Sequence, residues 1–326
     1  KGLEKARNAI CEYYREQGLK VNPENIFLTA GTSEAYSHLF RLLLNLKEEV
    51  LLPQPSYPLF QYIVDLNDAR FYPYTLQYNN GWALDLEALS ESNFSAAKAI
   101  VLVNPNNPTG SYIKTHELDI INQICHQHNM AVICDEVFYD FDLGIEPDRV
   151  SLVNNSEVLT FVLSGISKIL GLPQMKLSWI VVNGPDLLVK EAMKRLEVIS
   201  DTYLSVNTPV QNALAYWLKE KEMLQKDIKE RIQQNYDFLQ KQIHSVKATQ
   251  LLKAEGGWYA ILRIPAIRSE DEWVIKLLTH YHVFVHPGYF FDFDEGVHFI
   301  LSLLTDSKVF QEGVMRILSR VEQEVS

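Results

Sequence analysis

Short apolar runs alternate with helical periodicity through most of the chain, and several runs end in glycine, proline or polar residues. "NIFLTA" (25–30), "EVLLP" (49–53), "AIVLVNP" (99–105), "MAVICDE" (130–136) and "VLTFVL" (158–163) read as five strands. After Gly31 the residues Ala35, Leu39, Leu42, Leu43 and Leu46 recur on one helical face. Thr115 is placed to cap a helix carrying Leu118, Ile121 and Cys125. From about Pro209 to Ile243 the positions Ile228, Ile232, Leu239 and Ile243 keep one register, which predicts a single long helix. A strand, "GGWYAILRIP" (256–265), and a mixed terminal portion follow. The alternation predicts an α/β fold with a mostly parallel central sheet and helices on both faces, plus a smaller C-terminal α+β domain. The long helix sets the division: a large domain over 1–215 and a small one over 216–326.

Composition narrows the class. With 47% hydrophobic residues in 326, the chain can bury a substantial core. A formal net charge of −11, with no long Lys/Arg run, argues against a nucleic-acid partner. Cys11, Cys125 and Cys134 stand at unrelated spacings and make no disulfide framework, so a reducing, cytoplasmic setting is expected. No apolar run is long enough to span a bilayer. The opening "KGLEKARNAICEYYREQG" reads as a helix already under way, and a preceding segment is expected.

Polar groups collect at the strand ends, where open α/β sheets bind ligands. They are Gly31-Thr32-Ser33, Tyr57, Asn107, Asp135 and Lys168, the last within "SGISKILGLPQMKLSW" (164–179). Taken singly, each has a plain structural reading. Thr32 or Ser33 is an ordinary N-cap, "NPNNPTG" (104–110) is a turn, and Asp135 caps a helix or pairs with a base. Taken together they form a phosphate cradle at a helix N-terminus, a stacking aromatic, an acid and a lysine. Pyridoxal phosphate has a phosphate, a basic ring nitrogen and an aldehyde, and would use every one of them.

Six stretches carry a family resemblance: "LTAGTSEA" (28–35), "PQPSYP" (53–58), "NPNNPTG", "CDEVFYDF" (134–141), "SGISK" (164–168) and "GGWYAILRIP". In this order they resemble the class I/II aminotransferases of pyridoxal-phosphate fold type I, from residue 1 to the end. The resemblance implies transfer of an amino group between an amino donor and a keto acid through a Lys168 Schiff base. Lys168 then also moves the proton at the substrate α-carbon. Asp135 pairs with the pyridine nitrogen, Asn107 donates to the phenolic oxygen and Tyr57 stacks on the ring. Thr32, Ser33, Ser164 and Ser167 hold the phosphate. The family is further expected to form a homodimer, with "SDTYLSVNTPVQ" (200–211) turned toward the partner's cofactor. Two alternatives share these residues: a β-eliminating lyase, and the effector-sensing aminotransferase-like domain of a transcription regulator.

Three positions depart from the family pattern. Phe138 stands where a tyrosine usually shares the phenolic oxygen, and the adjacent Tyr139 is expected to point elsewhere. Lys176 replaces an arginine on the phosphate; it keeps the charge and loses the fork. In "HFILSLL" (298–304), Ile300 replaces the arginine that grips the substrate α-carboxylate. His298 is read as an edge residue and Arg263 as a structural or solvent-facing charge, with either a candidate substitute. Poor use of glutamate is expected, with Ile300→Arg restoring it. His280 and His282 alternate, but no third ligand completes a metal set.

Overall fold

The computed structural model describes residues 1–144, 148–243 and 248–325. Its first sheet has eight strands: β1 Ile26–Thr29, β2 Glu49–Gln54, β3 Arg70–Tyr78, β4 Trp82–Leu84, β5 Ala97–Val103, β6 Ala131–Asp135, β7 Thr160–Gly165 and β8 Ser178–Asn183. Their order is β1-β8-β7-β6-β5-β2-β3-β4. The inner pairs β3–β2, β2–β5, β5–β6 and β6–β7 are parallel, whereas β8 runs antiparallel to β7 and β1, and β4 to β3.

Strand alternation builds two hydrophobic layers. Val132 and Cys134 face one layer with Ile10, Ile121 and Leu214, from the helices Glu4–Glu16, Thr115–His128 and Thr208–Lys219. Ala131 and Ile133 face the other, with Leu39 and Leu196 from the helices Thr32–Leu43 and Asp186–Asp201. Helices therefore cover both faces of the sheet, and its central strands β6 and β7 are wholly buried. Among the described residues no helix is long and apolar enough to cross a membrane.

A second, antiparallel sheet contains β9 Gln250–Leu252, β10 Tyr259–Ile264, β11 His286–Pro287 and β12 Val297–Ser302, in the order β11-β12-β10-β9. One face packs Leu262, Phe299 and Leu301 against Trp273 and Ile317. The opposite face carries Ile261 and Ile300 with Leu252 and Phe291.

The single long helix expected over 209–243 is two helices, Thr208–Lys219 and Lys221–Ile243, separated at Glu220. The break re-aims the apolar stripe. Val210, Leu214 and Leu218 belong to the first-sheet core, while Ile232, Tyr236 and Leu239 belong to the second. The helix after Gly31 ends at Leu43, so Leu46 falls beyond it and is 75% exposed. Thr115 opens its helix rather than capping it; Lys114 precedes it, its amide bonded to Glu117 Oε2 at 2.9 Å.

Candidate active site

β6 and β7 are parallel neighbours, and each delivers one ionisable group beyond its carboxyl end. Asp135 is the last residue of β6 and is buried. The Val137 amide donates to its Oδ1 at 3.1 Å, and the Tyr36 hydroxyl donates to its Oδ2 at 3.2 Å. Burial raises the Asp135 pKa to about 6; the Val137 amide, the Tyr36 hydroxyl and the Lys168 charge oppose the rise. Lys168 lies in the short helical turn Ile166–Ile169 that follows β7. Its Nζ stands 5.1 Å from the Trp258 ring centre and 5.4 Å from that of Phe138. Burial lowers its pKa and the Asp135 charge raises it. An amine and an acid thus stand at neighbouring strand ends, close enough for each charge to act on the other.

The loop after β5 is tied to the same place. The Asn104 amide N–H donates to the Asp135 carbonyl at 2.8 Å. The Asn104 side chain receives the Ile113 amide and donates to the Val150 carbonyl. Asn106 donates to the Pro55 carbonyl and to Thr109 Oγ1, joining this loop to the one that bears Tyr57. Asn107 is buried, and its Oδ1 has no protein partner. Tyr57 is half-buried, edge-on to Phe60 at 5.6 Å. Its pKa is raised by burial, then by Tyr259 and Asp135, whose charges reach it.

Thr32 and Ser33 do not cap their helix. Gly31 holds the N-cap position, and no side chain caps it. The first amide to bond back is that of Ala35, to the Gly31 carbonyl at 3.0 Å, leaving the amides of Thr32, Ser33 and Glu34 free. Thr32 and Tyr36, four residues apart, share a helix face, and the Tyr36 hydroxyl reaches Asp135. Ser164 is buried with an unpartnered Oγ, and Ser167 is half-buried. Lys176 is exposed in a left-handed conformation, φ 54°, and no hydrogen bond or ion pair joins it to the other site residues.

The orphaned polar atoms fit pyridoxal phosphate. An unpartnered Ser164 Oγ, free amides at a helix start, an acid and a partly desolvated lysine are the partners its polar groups need.

The departures from the family pattern are placed as follows. Phe138 is buried edge-on to Trp258 at 5.2 Å. The Tyr139 ring turns to Tyr112 at 5.6 Å and lies under the Arg149 guanidinium. The edge reading of His298 is corrected: β12 is an inner strand, and His298 is 5% exposed, stacked at 4.5 Å on Phe293. Burial, and after it the Arg263 charge, lower its pKa to about 4. Arg263 is exposed and donates to Gln250. Ile300 is 1% exposed, enclosed by Leu252, Ile261 and Phe291.

Two residues that sequence reasoning passed over stand at the centre. Tyr36 occupies a core-facing helix position, and only its hydroxyl could have signalled another use. Trp258 reads in the sequence as one position of the "GGWYAILRIP" strand, yet its ring covers Lys168.

A mostly parallel sheet with a lysine and an acid at adjacent strand ends, and a second small sheet following it, is the architecture of the fold type I aminotransferases. The chain matches aminotransferase class I and II over residues 1–311 and belongs to that family. It is 28% identical over 307 residues to glutamate-pyruvate aminotransferase AlaA of Escherichia coli (strain K12), spanning 92% of this chain and 76% of that protein. Alanine aminotransferase of Mycobacterium tuberculosis (strain ATCC 25618 / H37Rv) is 23% identical over 325 residues, spanning 97% and 76%. The structure of alanine aminotransferase from Pyrococcus furiosus superposes with a TM-score of 0.90 at 25% identity, covering 99% of this chain and 82% of that one. The chain is an aminotransferase and acts on small amino and keto compounds.

Proposed function

We propose that this aminotransferase works with pyridoxal 5'-phosphate held through Lys168, and that the residues around Lys168 divide the work of binding and proton transfer. The observation that carries the reading is the pair Asp135 and Lys168, brought within reach of each other's charge by neighbouring strands. When bound, the cofactor supplies an aldehyde to receive the amino group and a ring that withdraws electrons from the α-carbon.

Each residue then has a task. Burial leaves the Lys168 amine less firmly protonated than a surface lysine, so it can act as nucleophile and then carry a proton at the α-carbon. Asp135, ionised, holds a proton on the ring nitrogen. Asn107 donates to the phenolic oxygen, with Phe138 adding no second donor. Tyr57 lies against the ring. Thr32, Ser33, Ser164 and Ser167 take the phosphate, and Lys176 adds its charge from the rim.

Residues 1–215 form the cofactor domain in this reading, and 216–326 the small domain. The working unit is a homodimer in the cytoplasm. Leu204, in the segment assigned to the partner's site, is 96% exposed, and Leu187, Tyr62 and Leu66 are also bare, which suits a covered face. Light scattering that gave an active monomer would refute the dimer.

The central test is chemical. Borohydride treatment of cofactor-loaded protein fixes the cofactor on Lys168, read by peptide mass. A Lys168→Ala protein that still formed a reducible adduct would overturn the assignment.

A further inference from the structure

The second oxygen of Asp135 is held by a phenol. Tyr36 lies on the inner face of the Thr32–Leu43 helix, its hydroxyl 3.2 Å from Asp135 Oδ2. Its ring is enclosed, 5.9 Å from Phe40 and edge-on to Phe60 at 5.2 Å. Packing alone calls for an apolar residue here, because a buried hydroxyl is costly unless it has an acceptor. This hydroxyl has one, Asp135.

We propose that Tyr36 is a positioning residue for the cofactor's ring nitrogen: its hydroxyl fixes the Asp135 carboxylate in orientation and keeps it ionised. The inference rests on the cofactor reading above. A carboxylate oxygen accepts more than one hydrogen bond, so Oδ1 and Oδ2 keep acceptor capacity beyond Val137 and Tyr36. The donors matter because burial works against the charge, holding the Asp135 pKa up at about 6. The titratable groups that face Asp135 are Tyr36 from its helix, Lys168 from the turn after β7, Tyr57 from the loop after β2, and Cys134 on its own strand. Tyr36 and Cys134 are themselves pushed well above their usual pKa by burial and stay neutral at pH 7. Loss of the Tyr36 hydroxyl removes a donor to the ionised form, so the Asp135 pKa rises further toward working pH. A protonated Asp135 cannot stabilise a protonated ring nitrogen.

The test compares wild type with Tyr36→Phe, which keeps the ring and its packing on Phe40 and Phe60. Cofactor-free protein is titrated between pH 6 and 8.5 with pyridoxal phosphate, and with an analogue whose ring nitrogen is replaced by C–H. Tyr36→Phe should bind pyridoxal phosphate about ten-fold more weakly at pH 7, as expected for a lost hydrogen bond to a charged group. The deficit should grow as pH falls, and the analogue should bind both proteins equally. In an Asp135→Asn background the substitution should add nothing. Equal affinities for pyridoxal phosphate at every pH would overturn the inference. So would an equal loss for both ligands, or an undiminished effect beside Asn at 135. A wild type that takes up no cofactor on Lys168 would remove the cofactor reading, and this inference with it.

Discussion

Gly110 and Gly256 meet backbone to backbone. The Gly256 amide donates to the Gly110 carbonyl at 2.9 Å, and a Cβ on Gly110 would stand 2.5 Å from the Gly256 carbonyl oxygen. The asparagine loop after β5 is thereby clasped to the segment that carries Trp258 onto Lys168. Gly110 also has a left-handed φ of 71°, which a side chain adopts at a cost. Gly110→Ala combines both penalties, roughly 2–4 kcal/mol together. The thermal midpoint should fall by roughly 5 °C or more. Ala at 110 with an unchanged melting curve would mean that the clasp yields.

Glu136 gives a pH signature. It is buried behind Asp135, its Oε1 accepting the Leu152 amide at 2.8 Å and its Oε2 the Ser151 hydroxyl at 2.7 Å. Burial raises its pKa from 4.5 to about 7. A carboxyl with a folded pKa above its unfolded one favours the fold while protonated, and that stability is lost as pH rises through the window from 4.5 to about 7. A glutamine fits the same partners, because the serine hydroxyl can turn to accept. Glu136→Gln should therefore be more stable than wild type by about 3 kcal/mol at pH 8, the gain vanishing near pH 4. Denaturant melts across that range check both sign and window. A difference that stays constant with pH would show that Glu136 does not titrate there.

Asp135→Ala separates binding from turnover. Lys168, the helix amides and the serines remain to retain the cofactor, so the variant should still load it weakly. Turnover should all but disappear, because nothing then holds the ring proton. Absorbance of the loaded protein and single-turnover amine transfer read the two effects apart. Near-normal turnover in Asp135→Ala would remove Asp135 from the chemistry.

How far these residues could be read in advance depended on how local their signal is. β5, β6 and β7 are continuous apolar runs that end in Asn, Asp and Ser-Gly, so strand and site were legible together. β3 was not, because "RFYPYTLQY" carries a mid-strand proline and mostly exposed side chains. β8, "SWIVVN", is itself an apolar strand run, but it begins inside the Gly- and Pro-bearing stretch around Lys168 and reads there as part of that loop. The break at Glu220 lacks Gly or Pro, and tertiary packing alone sets it. Tyr36 meets Asp135 across 99 residues, a relationship no local pattern encodes.

The last prediction concerns the substrate carboxylate. A bidentate arginine on a carboxylate away from water is worth about 2–3 kcal/mol. None of the residues considered for that role offers a cation. Ile300 is apolar and enclosed, the Arg263 guanidinium turns to Gln250, and His298 with a pKa of about 4 is neutral at pH 7. Use of the glutamate/2-oxoglutarate pair should show a raised KM, roughly a hundred-fold, as the mark of lost ground-state binding. Saturation at sub-millimolar glutamate would sink this. The enclosure of Ile300 also changes what an arginine would do there. Ile300→Arg would set a guanidinium among Leu252, Ile261 and Phe291. A buried charge without a partner costs several kcal/mol, so the variant should lose thermal stability rather than gain affinity for glutamate. A stable Ile300→Arg protein with a lowered KM would show that position 300 does reach the substrate.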